Sequence, residues 1–321
     1  MLLIVCLHIS PILLKGSDQM SRENIAIVYS FRSICLLGVS LFGFISGYFG
    51  MKWNAGKFLY YYLLVFFWGC FFLCFSLFFS QNELEITKVL RFILPISGQM
   101  CWYASAYLFL MILLRFTPPR PLFLDSNSLN QPYGKRSFFL LFSVVYIGEF
   151  ILNTDSTTFL MLIELYIIGR YFKSRPQNFI ERNSGIILII GLSTLSLSFG
   201  CTFYFLNAAA SEKVLTILQN NHNPLLIITA ISMFYWFKRR KSSVRKGCLE
   251  RISKYMFAVY IIHAYAKNSI IDYSEYIIEG HTWISLLLLA LLTFILCMLL
   301  EKSRQIIFDK CISSLINKVV S

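Results

Sequence analysis

Six ionisable residues stand inside apolar stretches of this 321-residue sequence: His8, Arg32, Glu149, Glu164, His263 and Lys267. A charged side chain at the middle of a bilayer costs about 2.5–3.5 kcal/mol on insertion scales, so such residues mark functional positions by default. Imidazole, with an ordinary pKa of about 6.5, is a natural general base. Arginine or lysine can hold a phosphate or stabilise an oxyanion. The sequence carries no Gly-rich phosphate loop, no His-Glu-x-x-His and no Gly-x-Ser-x-Gly. The six residues alone leave acyl transfer and proton-coupled transport both open.

The elements that must position these groups are helices in a membrane. Hydrophobic residues make up 57% of the chain, aromatic residues 17% and charged residues only 14%. So few charges could not cover a water-soluble surface, and so much apolar content excludes disorder. Ten apolar segments are expected, approximately Met1–Leu14, Ile25–Gly50, Phe58–Ser80, Met100–Leu114, Phe138–Leu152, Thr157–Tyr171, Gly185–Leu206, Pro224–Phe237, Ser253–Ile271 and Thr282–Leu300. Several exceed the 18 or so residues of a transmembrane helix, and the shorter ones read as short or tilted spans. The longest loops are expected near Arg115–Arg136 and Gln81–Gln99. No repeat or soluble domain interrupts this pattern, so residues 1–321 read as one integral membrane domain, an all-α polytopic bundle of about ten transmembrane helices.

The net charge of +13 has a topological origin. With the N-terminus inside, 22 of the 29 lysines and arginines fall in inner loops and five in outer ones. The inner group includes Lys302, Arg304, Lys310 and Lys318 after the last segment, and the cluster Lys238–Lys241 that would meet anionic lipid headgroups. This asymmetry follows the positive-inside rule, puts both termini in the cytoplasm and removes any need for a nucleic-acid partner. The nine cysteines are scattered singly; Cys70 and Cys74 share a helix face, but no second pair completes a zinc pattern, and no metal is expected. The first segment reaches only about 21 Å at 1.5 Å per residue, against a core of about 30 Å, so further helix is expected upstream of Met1, the competing reading being a short helix that thins the bilayer.

The same rise gives depths. His8, Arg32 and Glu164 each lie about 10 Å below the outer surface, and Glu149 about 14 Å below it. His263 lies about 14 Å above the inner face, with Lys267 one turn higher on the same side of its helix. Six polar groups from five helices thus sit near the midplane or in the outer half. One shared, partly hydrated cavity is expected, with Glu149 and Glu164 pairing with the basic groups. The competing reading is a set of structural ion pairs, with Lys267 snorkelling.

Three stretches carry a resemblance: LLIVCLHI (Leu2–Ile9), GVSLFGFISGYF (Gly38–Phe49) and ISKYMFAVYIIHAY (Ile252–Tyr265). They resemble, in order, the first-helix motif ending in His, the second-helix motif and the late Tyr-Leu-Ile-His motif of the acyltransferase 3 family. MCWYASAYLFLMILL (Met100–Leu114) is similar to its Trp-containing fourth helix. The resemblance implies a multi-pass enzyme of the cell (inner or plasma) membrane. Such an enzyme transfers an acyl group, commonly acetyl, from cytoplasmic acyl-CoA to a hydroxyl of an extracytoplasmic or lipid-linked saccharide. By motif position His8 matches the family's first-helix His, the expected general base. His263 and Tyr260 would orient the acceptor or assist proton transfer. Arg32, Lys267, Glu149, Glu164 and Trp102 complete the expected substrate site, with Trp102 and Tyr103 either stacking on a sugar or belonging to the interfacial aromatic belt. Two departures stand out. The family's Arg eleven residues before the His would precede Met1, and its Arg-rich pair after the second helix is replaced by Lys52, Trp53 and Lys57, leaving Lys52 and Lys57 to hold acyl-CoA. Ser46–Gly47–Tyr48 reads equally as a helix-packing motif. The rival functions are a polysaccharide flippase or polymerase and a small-molecule transporter; paired Gly or Pro interruptions in two halves, the mark of a transporter, are not found.

Overall fold

The computed structural model describes residues 1–15, 22–51, 53–79, 86–94, 101–116, 158–175, 178–205, 214, 218–220, 222–240, 246–269 and 282–320. Among them there is no strand, and the molecule is an all-α membrane helix bundle. The helices are α1 (Leu2–Lys15), α2 (Arg22–Phe49), α3 (Ala55–Phe79), α4 (Ile86–Ile93), α5 (Trp102–Phe116), α6 (Thr158–Lys173), α7 (Phe179–Arg182), α8 (Ser184–Phe205), α9 (Pro224–Arg239), α10 (Lys246–Ser253), α11 (Met256–Ser269) and α12 (Thr282–Val320). Among the described residues, four stretches are long and apolar enough to cross a membrane: Glu23–Phe49, Ala55–Phe78, Ser184–Thr202 and Ile284–Lys310.

The helices form two compact units. The first holds Met1–Leu13, Lys52–Arg115 and Ser242–Ser321; the second holds Leu14–Met51 and Phe116–Lys241. In the first unit α11 packs against both α3 and α12, which also pack on each other. In the second, α2 packs along α6, α8 and α9. The α2–α6 crossing is backbone on backbone. A Cβ at Gly47 would strike the Tyr166 carbonyl, and one at Gly169 would strike the backbone from Phe44 to Tyr48. Lipid supplies no hydrophobic drive between helices, so such close van der Waals approach holds the pair. The Gly47 motif is therefore a packing motif here.

Two expectations need correction. The stretch 81–99, read as a loop, contains α4, which packs on the middle of α3. Gly69 has no Cβ to strike the Phe92 carbonyl, and that carbonyl accepts the Tyr265 hydroxyl at 3.3 Å. Gly69 lies ten residues before Phe79, so α4 ends about 15 Å back along α3. The second correction concerns Arg304, counted among the loop cations. Helix α12 runs on unbroken past it, and Arg304 is 2% exposed.

Its guanidinium donates twice to Glu301, from Nε at 2.9 Å and Nη2 at 2.8 Å, and Nη2 also reaches Asp309 at 3.0 Å and the Tyr60 hydroxyl at 3.2 Å. Glu301, 1% exposed, further accepts Trp68 Nε1 at 3.1 Å and Gln305 Nε2 at 2.9 Å. A buried carboxylate demands such donors, because an unpaired charge away from water is costly. On α12 the outward residues Leu287, Leu291, Ile295 and Ile306–Phe308 are apolar and exposed, as a lipid-facing surface is.

Candidate active site

His8 lies midway along α1. Three residues on, Pro11 brings no N–H, which would leave the Leu7 carbonyl without its i−4 partner. The Ser10 hydroxyl donates to that carbonyl at 2.9 Å, so the helix passes His8 with its backbone satisfied. His8 is half-buried, and its Nδ1 lies 2.9 Å from Nε2 of His263 on α11. The rings are 5.0 Å apart and tilted by 31°. His263 is 2% exposed, with its Nδ1 2.8 Å from the Val259 carbonyl one turn back. Two imidazoles joined by one hydrogen bond can hold a proton and pass it on.

Tyr260 packs edge-on against His263 with centroids 5.5 Å apart. Its hydroxyl accepts the Tyr103 N–H at 3.1 Å. Tyr103 is the second residue of α5, where backbone donors have no acceptor within the helix. Tyr260 therefore supplies the missing acceptor and ties α11 to the start of α5. Trp102, half-buried at that start, packs edge-on against the buried Tyr103 ring at 5.6 Å. Lys267 belongs to α11, but its side chain lies outside the described residues.

In the second unit Glu164, on α6, is 5% exposed. Its Oε2 lies 3.0 Å from Nδ1 of His222, itself 2% exposed. The sequence reading expected the basic groups as its partners and did not single out His222. The Asn-rich turn before α9 explains the burial. Asn220 Oδ1 accepts the His222 N–H at 2.9 Å, and Asn223 Oδ1 caps α9 by accepting the Leu225 N–H at 3.0 Å, with Pro224 starting the helix. The Asn223 amide donates to the Leu218 carbonyl at 3.2 Å. The turn satisfies its own backbone, which frees the imidazole to point inward. Arg32, on α2, is half-buried, and its Nε has no hydrogen-bond partner among the described residues; the same holds for Glu164 Oε1 and for Ser40 Oγ.

At the near end of α3, Lys57 is exposed and its N–H is capped by Asn54 Oδ1 at 2.8 Å. The Arg115 guanidinium lies over the Trp53 ring at 5.3 Å. Glu149 and Lys52 lie outside the described residues. Among the described residues, no group of three His, Cys, Asp or Glu side chains could hold a metal ion.

A family model described as an acyltransferase domain matches residues 1–302, nearly the whole chain. The chain belongs to the acyltransferase 3 family. It is by that membership a membrane acyltransferase in general terms. No curated protein and no solved structure matches it at a significant level.

For an acyltransferase 3 protein the arrangement divides the sequence candidates. His8, His263, Tyr260 and Trp102 come from one unit and share one neighbourhood through α11 and the start of α5. Glu164 and Arg32 belong to the other unit, where Glu164 has its own histidine. Sequence reasoning missed His222 and the Glu301–Arg304 network. The run Asn220-Asn221-His222-Asn223-Pro224 has the composition of a surface turn, and Glu301–Arg304 follows an apolar run as ordinary flanking charges do. Only the i,i+3 spacing of Glu301 and Arg304 hinted at a pair on one helix face.

Proposed function

We propose that the protein is a ten-span enzyme of the cell membrane with both termini in the cytoplasm. It would move an acyl group, acetyl foremost, from cytoplasmic acyl-CoA to a hydroxyl of an extracytoplasmic or lipid-linked saccharide. The observation that supports this reading is the hydrogen-bonded pair His8–His263, two imidazoles on apolar helices of a family acyltransferase. In this reading His8 takes the acceptor's hydroxyl proton as its oxygen attacks the thioester carbonyl. The tetrahedral intermediate collapses, the C–S bond breaks, and the proton passes from His8 to the leaving thiolate. The products are the ester and the free thiol of coenzyme A, with no net proton released.

The other residues take supporting parts. Lys57, with Lys52 and the Arg115–Trp53 pair, would hold the phosphates of acyl-CoA at the inner side. Trp102 offers an aromatic face to a sugar ring. Arg32, Lys267, Glu149 and Glu164 are further proposed substrate-binding residues. The membrane lipids and the glycan acceptor are the partners implied.

The rival transport reading has one observation on its side: α4 reaches only to the middle of α3, as half-helices do in transporters. One experiment separates the two. Membranes containing the protein, supplied with radiolabelled acetyl-CoA, should place label on the lipid-linked saccharide fraction, and His8→Gln membranes should not. Label that never leaves acetyl-CoA, in membranes that still carry saccharide across the bilayer, would favour transport.

A further inference from the structure

The two histidines are not equivalent, and their hydrogen bonds say which nitrogen is the base. The Val259 carbonyl oxygen only accepts. At 2.8 Å it requires a hydrogen on Nδ1 of His263. A neutral His263 ring then carries a bare lone pair on Nε2. That lone pair is 2.9 Å from Nδ1 of His8, so the hydrogen between the rings must come from His8. A neutral His8 with its hydrogen on Nδ1 has its basic lone pair on Nε2, at the opposite corner of the ring. We infer that the resting pair has both hydrogens on Nδ1, that Nε2 of His8 is the nitrogen that removes the acceptor's proton, and that His263 is a positioning residue that acts through His8.

This inference rests on the acyl-transfer reading for what Nε2 does, but not for where the hydrogens are. Its chemical content is specific. His263 stands where a carboxylate stands in a Ser-His-Asp triad: it fixes the tautomer and ring orientation of the base. Being uncharged, it also needs no counter-ion when His8 is at rest, which suits a position that is 2% exposed in a membrane protein. When His8 takes the proton, its Nδ1–H bond to His263 becomes charge-assisted and shortens. The positive charge can then be shared across both rings until the thiolate removes the proton. The Tyr260 hydroxyl oxygen accepts from the α5 backbone, which gives Tyr260 a structural part beside the pair.

The anchoring has a further consequence for substitution. A glutamine at 263 can place its Oε1 near the former Nε2 and accept the His8 hydrogen; a phenylalanine fills the space and accepts nothing.

The test has two arms in protein reconstituted in lipid nanodiscs. The first is 15N NMR of histidine-labelled protein at neutral pH, with His8→Gln and His263→Gln used to assign signals. The expected result is the Nδ1–H form at both residues. An Nε2–H form at His8, or a doubly protonated His263, overturns the inference whatever the activity. The second arm is acetyl transfer from labelled acetyl-CoA. His263→Phe should lower kcat by about 10²–10⁴-fold, the range for loss of an oriented base, while the KM for acetyl-CoA stays put. His263→Gln should recover to within about tenfold of wild type, with the acidic limb of its pH profile displaced. Equal loss in the Gln and Phe variants, or a raised acceptor KM in both, would instead place His263 on the substrate. Nδ1–H at both residues in a protein that transfers no acyl group would leave the placement of the hydrogens standing and sink the functional reading together with the role given to Nε2.

Discussion

The indole N–H of Trp68 donates to Glu301 across 3.1 Å, tying α3 to α12 over 233 positions of sequence. The carboxylate so held is the hub of a buried network, and Arg304 is its counter-charge. Removing one partner of a buried pair leaves an uncompensated charge and costs about 3–5 kcal/mol, whereas replacing both with apolar groups of similar volume is often neutral. Glu301→Leu should therefore lower the melting temperature in nanodiscs markedly, and the double variant Glu301→Leu/Arg304→Met should recover most of it. A double variant as unstable as the single one would show that the network does more than satisfy itself.

The Glu164–His222 contact predicts a graded response. Glu164→Gln keeps an oxygen that accepts the imidazole hydrogen, while Glu164→Leu removes every acceptor. The second should destabilise by about 1–3 kcal/mol, the cost of leaving a buried donor unpaired, and the first by less. Because His222 anchors the Asn220–Pro224 turn, Gln219→Cys in a background without the native cysteines should label faster with a water-soluble maleimide in the Leu variant than in the Gln variant. Identical labelling rates would mean that the turn holds without its carboxylate.

At the α2–α6 crossing, side-chain volume should set the penalty. Inserting methyl or larger groups into a filled interface costs about 1–3 kcal/mol and sometimes more. Gly169→Ala should lower thermal stability and Gly169→Leu should lower yield as well, whereas Ile189→Ala, on the exposed face of α8, should be nearly silent. A tolerated Gly169→Leu would contradict the backbone contact.

Tyr260→Phe tests a structural role against a chemical one. The variant keeps the ring packed on His263 but leaves the Tyr103 N–H without its acceptor. The expected loss is about 1–3 kcal/mol of stability, with the KM for the acceptor unchanged. A raised acceptor KM at normal stability would return Tyr260 to the substrate.

Much of this was legible in the sequence, and what was not has a common cause. Long apolar runs gave the spans because a bilayer demands them regardless of tertiary partners, and His8 and His263 stood out because polar groups in such runs are expensive. Their direct contact, 255 positions apart, is tertiary and left no local mark. His222 was hidden by the turn-forming asparagines around it, since composition reports how a turn closes but not which way its side chain points. Arg304 was hidden by its position after an apolar run, where a charge usually meets water. In α3 and α8 the apolar residues surround the whole helix, so no amphipathic stripe told the buried face from the lipid face.

Helix α12 has 39 residues and contains neither glycine nor proline. At 1.5 Å per residue it is about 58 Å long, and even tilted by 40°, the upper end of the usual range, it spans about 44 Å along the membrane normal. That exceeds a hydrocarbon core of about 30 Å, so the helix leaves the bilayer as a rigid rod with no hinge. Beyond Glu301 it continues for about 28 Å. A thinner membrane makes a long helix tilt, and each 10° of tilt sweeps a point about 28 Å along the rod by about 5 Å. A spin label near the far end would therefore read bilayer thickness on a magnified scale.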